Sequence, residues 1–255
     1  MSTNIQAGQV GYHVENGIGT ISFHHPAHNS MPSPLLHILT QTIEQAGADP
    51  SARVIVLKSA GDRTFCAGAS FDELAAIEDF DTGKRFFTGF AKVINALRRC
   101  SKLVIGRVQG KAVGGGVGIA AACDYCLATQ HADIKLSELA VGIGPFVVGP
   151  AVERKIGLSA FSQLAINATE WHSANWAMER GLYANVYSNI ADMDAAILEL
   201  AQKLAQSSPE AMHELKTIFW QGTQHWDQFL EERAAISGRL VLSEYSKKAI
   251  AKIKS

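Results

Sequence analysis

Thr64-Phe-Cys-Ala-Gly-Ala-Ser-Phe-Asp72 and Lys111-Ala-Val-Gly-Gly-Gly-Val-Gly118 are two small-residue stretches of similar build. Each follows an apolar run that reads as a buried strand, Val54–Leu57 in the first case and Leu103–Val108 in the second, and each leads towards a helix. Two such turns can aim two backbone N–H groups at one point. A carbonyl oxygen needs this if it is to take up negative charge during a reaction. Either turn alone is more readily explained as a place where the chain packs closely.

Phosphate-binding readings of the same glycines fail on spacing. After Gly114 and Gly116, a dinucleotide fingerprint requires glycine at 119, where the chain has Ile119. A Walker loop ending at Gly110-Lys111 requires an earlier glycine where Ile105 stands, and a Ser or Thr where Ala112 stands.

Further motifs fall in an order that is similar to the crotonase superfamily, the enoyl-CoA hydratase/isomerase family. Phe65-Cys-Ala-Gly-Ala-Ser-Phe71, Val108-Gln-Gly-Lys-Ala-Val-Gly-Gly-Gly-Val-Gly118 and Ala121-Ala-Cys-Asp124 carry the resemblance. His25-Pro-Ala-His-Asn-Ser30 resembles its first strand exit, and Ser208-Pro-Glu-Ala211 the start of a late helix. Leu136-Ser-Glu-Leu-Ala-Val-Gly142, followed by Pro145, resembles the segment that bears a catalytic glutamate. The resemblance implies an α/β fold, a spiral ββα core over 1–195 and a C-terminal helical region over 196–255. It further implies that those helices close the site and pack a homotrimer or a dimer of trimers.

Composition sets outer bounds. With 255 residues and 47% hydrophobic content, the chain can bury a good core as one domain, or one with an appended helical part. A formal net charge of −1 and the lack of a Lys/Arg cluster argue against nucleic-acid binding. Apolar runs such as Leu103–Ile105 and Ile119–Ala122 stop well short of the roughly 20 residues that a membrane span needs. Met1–Val10 is polar and shows no export signal. Four cysteines do not make a disulfide framework, and Cys123-Asp-Tyr-Cys126 has no second pair, so a reduced, cytoplasmic setting is expected.

Along the chain, Gly11–Glu15 and Ile18–Phe23 flank Asn16-Gly17, a hairpin signal. Pro32–Ala46 has the spacing of a helix buried on one face, with Ser33 as a candidate cap, and Phe86–Leu97 is amphipathic. Tyr125–Ala128 and Ile134–Leu136 read as short strands, so the order is a repeated ββα. From about Gly149 the chain reads as almost entirely helical, over Ala151–Ile156, Ser159–Asn167, Ser173–Arg180, Asp192–Gln206, Pro209–Trp220 and Asp227–Leu242. Ser208-Pro209-Glu210 is a well-formed helix start.

The resemblance assigns the two donors to the N–H groups of Ala69 and Gly115, holding the carbonyl of an acyl-CoA thioester as an enolate. Coenzyme A is then part of the substrate, and neither a separate cofactor nor a metal is expected. Glu138 lies in the weakly polar run Lys135–Ile143. Residue pattern alone leaves it open between a turn-capping residue and a proton carrier; the resemblance aligns it with a catalytic glutamate. Ala67, Gly68, Ser70, Phe71, Gly114 and Gly118 are the expected lining of the substrate and CoA path. Fatty-acid oxidation and branched amino-acid breakdown both use this scaffold, and the acyl group stays open.

Two departures from the family pattern stand out. Classical hydratases bring a second glutamate two residues after the glycine triplet, where this chain has Gly118. That absence points towards double-bond isomerisation or a different acyl-CoA reaction, although one glutamate can still serve as both base and acid in a hydration or dehydration. It also suggests free space for a branched or polar acyl group. The lysine that many relatives carry after the first turn is Asp72 here, so other basic residues must hold the CoA phosphates. A non-catalytic acyl-CoA-binding homologue is the remaining alternative, favoured only if Glu138 points away from the pocket.

Other candidates carry less. His24, His25 and His28 sit at a strand exit, where the consecutive pair would point to opposite faces, and a structural role is expected. Cys66 reads as a small packing residue. No G-x-S-x-G elbow is present, which argues against an α/β-hydrolase thioesterase. Trp171, Trp176, Trp220 and Trp226 occupy the helical half, where core and subunit packing is expected.

Overall fold

Asn16 and Gly17, with φ of 51° and 79°, turn the first two strands into a hairpin, β1 (Gln9–Glu15) and β2 (Ile18–His24). Both central residues take positive φ, as a two-residue hairpin loop requires to match strand twist. The computed structural model describes residues 8–254; Met1–Ala7, most of the stretch read for an export signal, lie outside them.

The chain then repeats one unit. After α1 (Ser33–Ala48) come β3 (Val54–Ser59), β4 (Thr64–Cys66), the short α2 (Phe71–Ala75) and α3 (Phe80–Arg99). β5 (Val104–Val108), β6 (Lys111–Val113) and α4 (Gly115–Ala122) follow. β7 (Tyr125–Thr129), β8 (Ile134–Lys135), a 3-10 turn at Leu139–Val141 and α5 (Gly149–Ile166) form the next unit. In each, the first strand joins a six-stranded sheet of order β1-β2-β3-β5-β7-β9, and the second joins a parallel sheet of order β4-β6-β8. Of the small sheet only β8 was expected: β4 and β6 are three residues long, too short for any periodicity to show.

Strand alternation sorts the core. Val54 and Val56 face one side of β3 while Ile55 and Leu57 face the other, as side chains two apart share a face. The Val54/Val56 side, with Ile105 and Leu127, is covered by Met193, Ile197 and Ala201 on one stripe of α7 (Ile190–Ala205). The opposite side packs on α1, α3 and α4, where Leu35, Leu39, Phe86, Phe90 and Ile94 are buried.

The helical half departs from expectation in detail. Gly157, at φ 75° and ψ 160°, kinks α5 between the two expected helices. After α6 (Ala174–Glu179), Asn185–Tyr187 forms β9, the last strand of the large sheet, inside a region read as helical. The boundary expected at 195/196 falls inside α7, which is continuous and packs on the large sheet. The helices beyond it are α8 (Pro209–Phe219), α9 (Trp226–Leu240) and α10 (Glu244–Lys254). Ser208 caps α8 as expected, but Pro32 rather than Ser33 occupies the cap position of α1. Ser33 instead gives its N–H and Oγ–H to Glu73 Oε2, at 2.7 and 3.0 Å.

Trp220 and Trp226 are buried and meet edge to face at 5.8 Å, whereas Trp171 is 40% exposed beneath the Lys111 and Lys135 ammonium groups. Among the described residues, no helix is long and apolar enough to cross a membrane.

Candidate active site

The three strands of the small sheet run parallel, so their carboxyl ends lie together. β4 ends at the first small-residue turn, β6 at the second, and β8 at the segment carrying Glu138. The sheet therefore brings Ala69, Gly115 and Glu138 to one place, in the manner of open parallel sheets that bind ligands at their carboxyl edge.

The first turn is held from the strand-exit loop. His28, at φ 53°, accepts a hydrogen bond from Ala67 N–H at 3.2 Å, and buried Asn29 donates to the carbonyls of Ala60 and Thr64. Met31 N–H donates to Gly68 O at 2.8 Å, and Ser70 N–H to Met31 O at 3.4 Å. That is a parallel bridge centred on Ala69, so the Ala69 N–H points away from Met31. Among the described residues it has no acceptor.

The second turn rests on the first. A Cβ on Gly68, whose φ is +86°, would stand 2.8 Å from Val113 O and 3.6 Å from Gly115 N. A Cβ on Gly116 would stand 2.6 Å from Cys66 O. Gly114 takes φ 51° and ψ −113°, a combination open only to glycine, and caps α4 while its N–H donates to Lys135 O at 2.8 Å. Gly115 is the first residue of α4, where an N–H has no intrahelical partner. Its α-carbon abuts the Phe90 ring, which leaves no room for a side chain.

Glu138 completes the site. The residue as a whole is only partly covered, yet its Oε2 is buried and has no hydrogen-bond partner. Burial pushes the carboxyl up to about 7, and its own backbone N–H pulls it partly back. The carboxylate faces Gly114: a Cβ there would lie 2.8 Å from Oε1. Burial likewise pushes the Cys66 thiol up to about 12, which keeps it protonated and unreactive.

A cavity of about 70 Å³ joins these groups. Ala67, Gly68, Ala69 and Phe71 line it, as do residues 144–148. Gly114, Gly115 and Glu138 lie along it. Phe87 and Phe90 of α3 and Ser237 of α9 also line it; nothing in their local pattern distinguished them from ordinary core positions. Ser70 is not in the wall: its Oγ caps α2 by accepting from Glu73 N–H at 3.4 Å. Gly118 is not in the wall either. A Cβ there would stand 2.5 Å from Val148 Cγ1, so the space expected beside Gly118 is filled by Val148. His25 Nδ1 accepts from Ala27 N–H at 3.2 Å and lies 3.1 Å from Ser30 Oγ, so it braces its own loop. Among the described residues, no three His, Cys, Asp or Glu side chains form a group able to hold a metal.

Two free backbone amides thus lie beside a buried carboxylate, and comparison with known proteins gives the family. The family model for enoyl-CoA hydratase/isomerase matches residues 13–251. The chain belongs to that family. A probable enoyl-CoA hydratase of Bacillus subtilis (strain 168) is 26% identical over 239 residues, spanning 93% of this chain and 92% of that protein. A carnitinyl-CoA dehydratase of Proteus mirabilis (strain HI4320) is 31% identical over 207 residues, 76% of this chain and 73% of its own. The fold matches a crystal structure of enoyl-CoA hydratase from Bacillus halodurans with a TM-score of 0.87, at 19% identity over 95% of this chain and 99% of that one.

Proposed function

We propose that this enoyl-CoA hydratase/isomerase family member is an acyl-CoA hydro-lyase with Glu138 as its single acid–base residue. The observation that carries the reading is the buried, unpartnered Glu138 Oε2 beside the free N–H groups of the two turns. A 2-enoyl thioester places its carbonyl oxygen between Ala69 N–H and Gly115 N–H. Ionised Glu138 takes a proton from water as the water oxygen bonds to C3. The C2=C3 electron pair moves on to the thioester oxygen as an enolate, held by the two amides and by the amino end of α4. Glu138 then returns its proton to C2, the enolate collapses, and one water has been added. Dehydration is the same path reversed.

A second reading, double-bond isomerisation, is favoured by Val148, whose methyl fills the place where a second carboxylate would need to stand. One carboxylate suffices to take a proton from C2 of a 3-enoyl thioester and return it to C4. Exposed Leu158, Ile166, Ile218 and Phe219 offer apolar surface on α5 and α8, which supports the expected assembly of several copies.

The test is one assay with two substrates. Purified protein is given a 2-enoyl-CoA and a 3-enoyl-CoA while the absorbance of the conjugated thioester is followed. Loss of absorbance with the first supports the hydro-lyase, and gain with the second supports the isomerase. Undiminished activity in Glu138→Gln sinks both.

A further inference from the structure

Pro145 and Phe146, which line the catalytic cavity, also line a second, larger space of about 560 Å³ between α5 and α9. The catalytic cavity, at about 70 Å³ by the same measure, has room for only a short acyl segment around the thioester. The second space adjoins it across Pro145 and Phe146.

The chemistry of this second space is specific. Its walls include the rings of Phe161, Trp226 and Phe229, and two guanidinium groups, Arg154 and Arg233. Arg154 Cζ lies 4.3 Å from the centroid of Trp220, and Arg233 Cζ lies 4.8 Å from that of Phe229. Stacking on a ring holds a guanidinium flat and leaves its edge N–H groups free to donate. Among the described residues, neither guanidinium forms an ion pair or hydrogen bond, although the Asp124 carboxylate attracts that of Arg154, and Glu153 is the one carboxylate in the same wall. Two pre-oriented, unpaired forks in an aromatic groove match a carboxylate, which a guanidinium binds through two parallel hydrogen bonds.

We propose that Arg154 and Arg233 bind an anionic group at the far end of the acyl chain, so that the preferred substrates are thioesters bearing a carboxylate distal to the reacting carbonyl. The proposal rests on the thioester reading of the catalytic cavity and adds the substrate class. Phe146 stands between the two spaces, so the chain passes its ring and the distal carboxylate emerges beside the arginines.

Binding separates this proposal from the reaction itself, since saturated thioesters bind without turning over. Titration calorimetry would compare glutaryl-CoA, which carries a distal carboxylate, with neutral pentanoyl-CoA and with free CoA, on wild type, Arg233→Gln and Arg154→Gln. The expected result is a tighter Kd for glutaryl-CoA by about tenfold to a hundredfold, as a charge-assisted pair commonly contributes. That preference should fall towards one in Arg233→Gln, with the affinity for pentanoyl-CoA nearly retained. Equal affinities on wild type overturn the proposal, as does a preference that survives both substitutions. If the arginine variants weaken free CoA and both thioesters alike, the arginines serve the CoA phosphates and the proposal is wrong. Failure of free CoA and both thioesters to bind would remove the thioester reading itself, and this proposal with it.

Discussion

The Glu138 carboxylate occupies the space that a side chain on Gly114 would need, with Oε1 2.8 Å and Cδ 3.3 Å from the position of such a Cβ. The proposed proton carrier and the proposed oxyanion turn are therefore fitted to each other. Gly114→Ala should displace Glu138 and also force a non-glycine residue to φ 51° and ψ −113°. Backbone strain of this kind costs about 1–3 kcal/mol. Misplacing the catalytic group by an ångström costs on the order of a hundredfold in rate. Steady-state kinetics with a thermal melt would show kcat/KM falling far more than the folded fraction does. A variant with wild-type kinetics would separate the two groups.

Glu138 carries two pH signatures with opposite consequences. Burial pushes its carboxyl up to about 7, and the ionised form is the base, so kcat/KM of the free enzyme should rise with pH through about 7 and then level off. For stability the sign reverses. A raised carboxyl favours the folded state while it is protonated, and that benefit is lost as pH rises from the unfolded value of 4.5 through about 7. Glu138→Gln should therefore match wild type in stability below about pH 4.5, the ordinary glutamate value, and exceed it at pH 8, by up to about 3 kcal/mol. Urea denaturation of both proteins across that range reads the difference. A constant offset would mean that the carboxylate is solvated in the folded protein.

The two turns were readable because they are written in residue types that have few other uses. Positive φ at Gly68 and close approach at Gly115 and Gly116 admit glycine and little else, so the turns stand out from the sequence alone. The hairpin at Asn16-Gly17 was readable for the same reason. What pattern could not supply was position in space. Ser70 has the composition of a turn residue but its hydroxyl is taken by Glu73 N–H, and Gly118 faces Val148, a residue thirty positions on with no local mark of its role. β9 escaped notice because three residues, Asn185–Tyr187, acquire strand character only by pairing with β7. Ser237 and Phe87 likewise enter the cavity wall through the packing of whole helices.

Gly118 and Val148 should be coupled energetically. A methyl group at 118 overlaps Val148 Cγ1 at 2.5 Å, so Gly118→Ala overpacks a buried contact and should cost about 1–3 kcal/mol. Val148→Ala alone leaves a small cavity and costs about the same or slightly less. The double variant should recover much of the loss, with an interaction energy of at least about 1 kcal/mol in a double-mutant cycle measured by denaturant unfolding. Simple additivity would show that the two residues do not compete for space. The same cycle with glutamate at 118 bears on the reaction: hydration should gain only when Val148 has been trimmed to make room for the second carboxylate.

Asp124 ties the C-terminal helices to the end of α4, the helix that begins at Gly115. It lies two residues beyond the end of α4, and its carboxylate accepts from Lys216 Nζ at 2.7 Å, Trp220 Nε1 at 2.9 Å and Val104 N–H at 2.7 Å. The Asp124 and Lys216 side chains are each only 4% exposed, so neither charge has water to fall back on. Removing one partner of such a pair typically costs about 3–5 kcal/mol, because the other is left buried and uncompensated. Lys216→Met should lower the melting temperature by about 10 °C in a chain of this size. Adding Asp124→Asn to it should restore part of the loss, since the amide oxygen still accepts a hydrogen bond and no lone charge remains. Neither group reaches the catalytic cavity, so kcat/KM measured well below the melting temperature should stay near wild type. A large kinetic loss in a fully folded Lys216→Met protein would instead mean that the pair sets the position of α4, and through it the Gly115 amide.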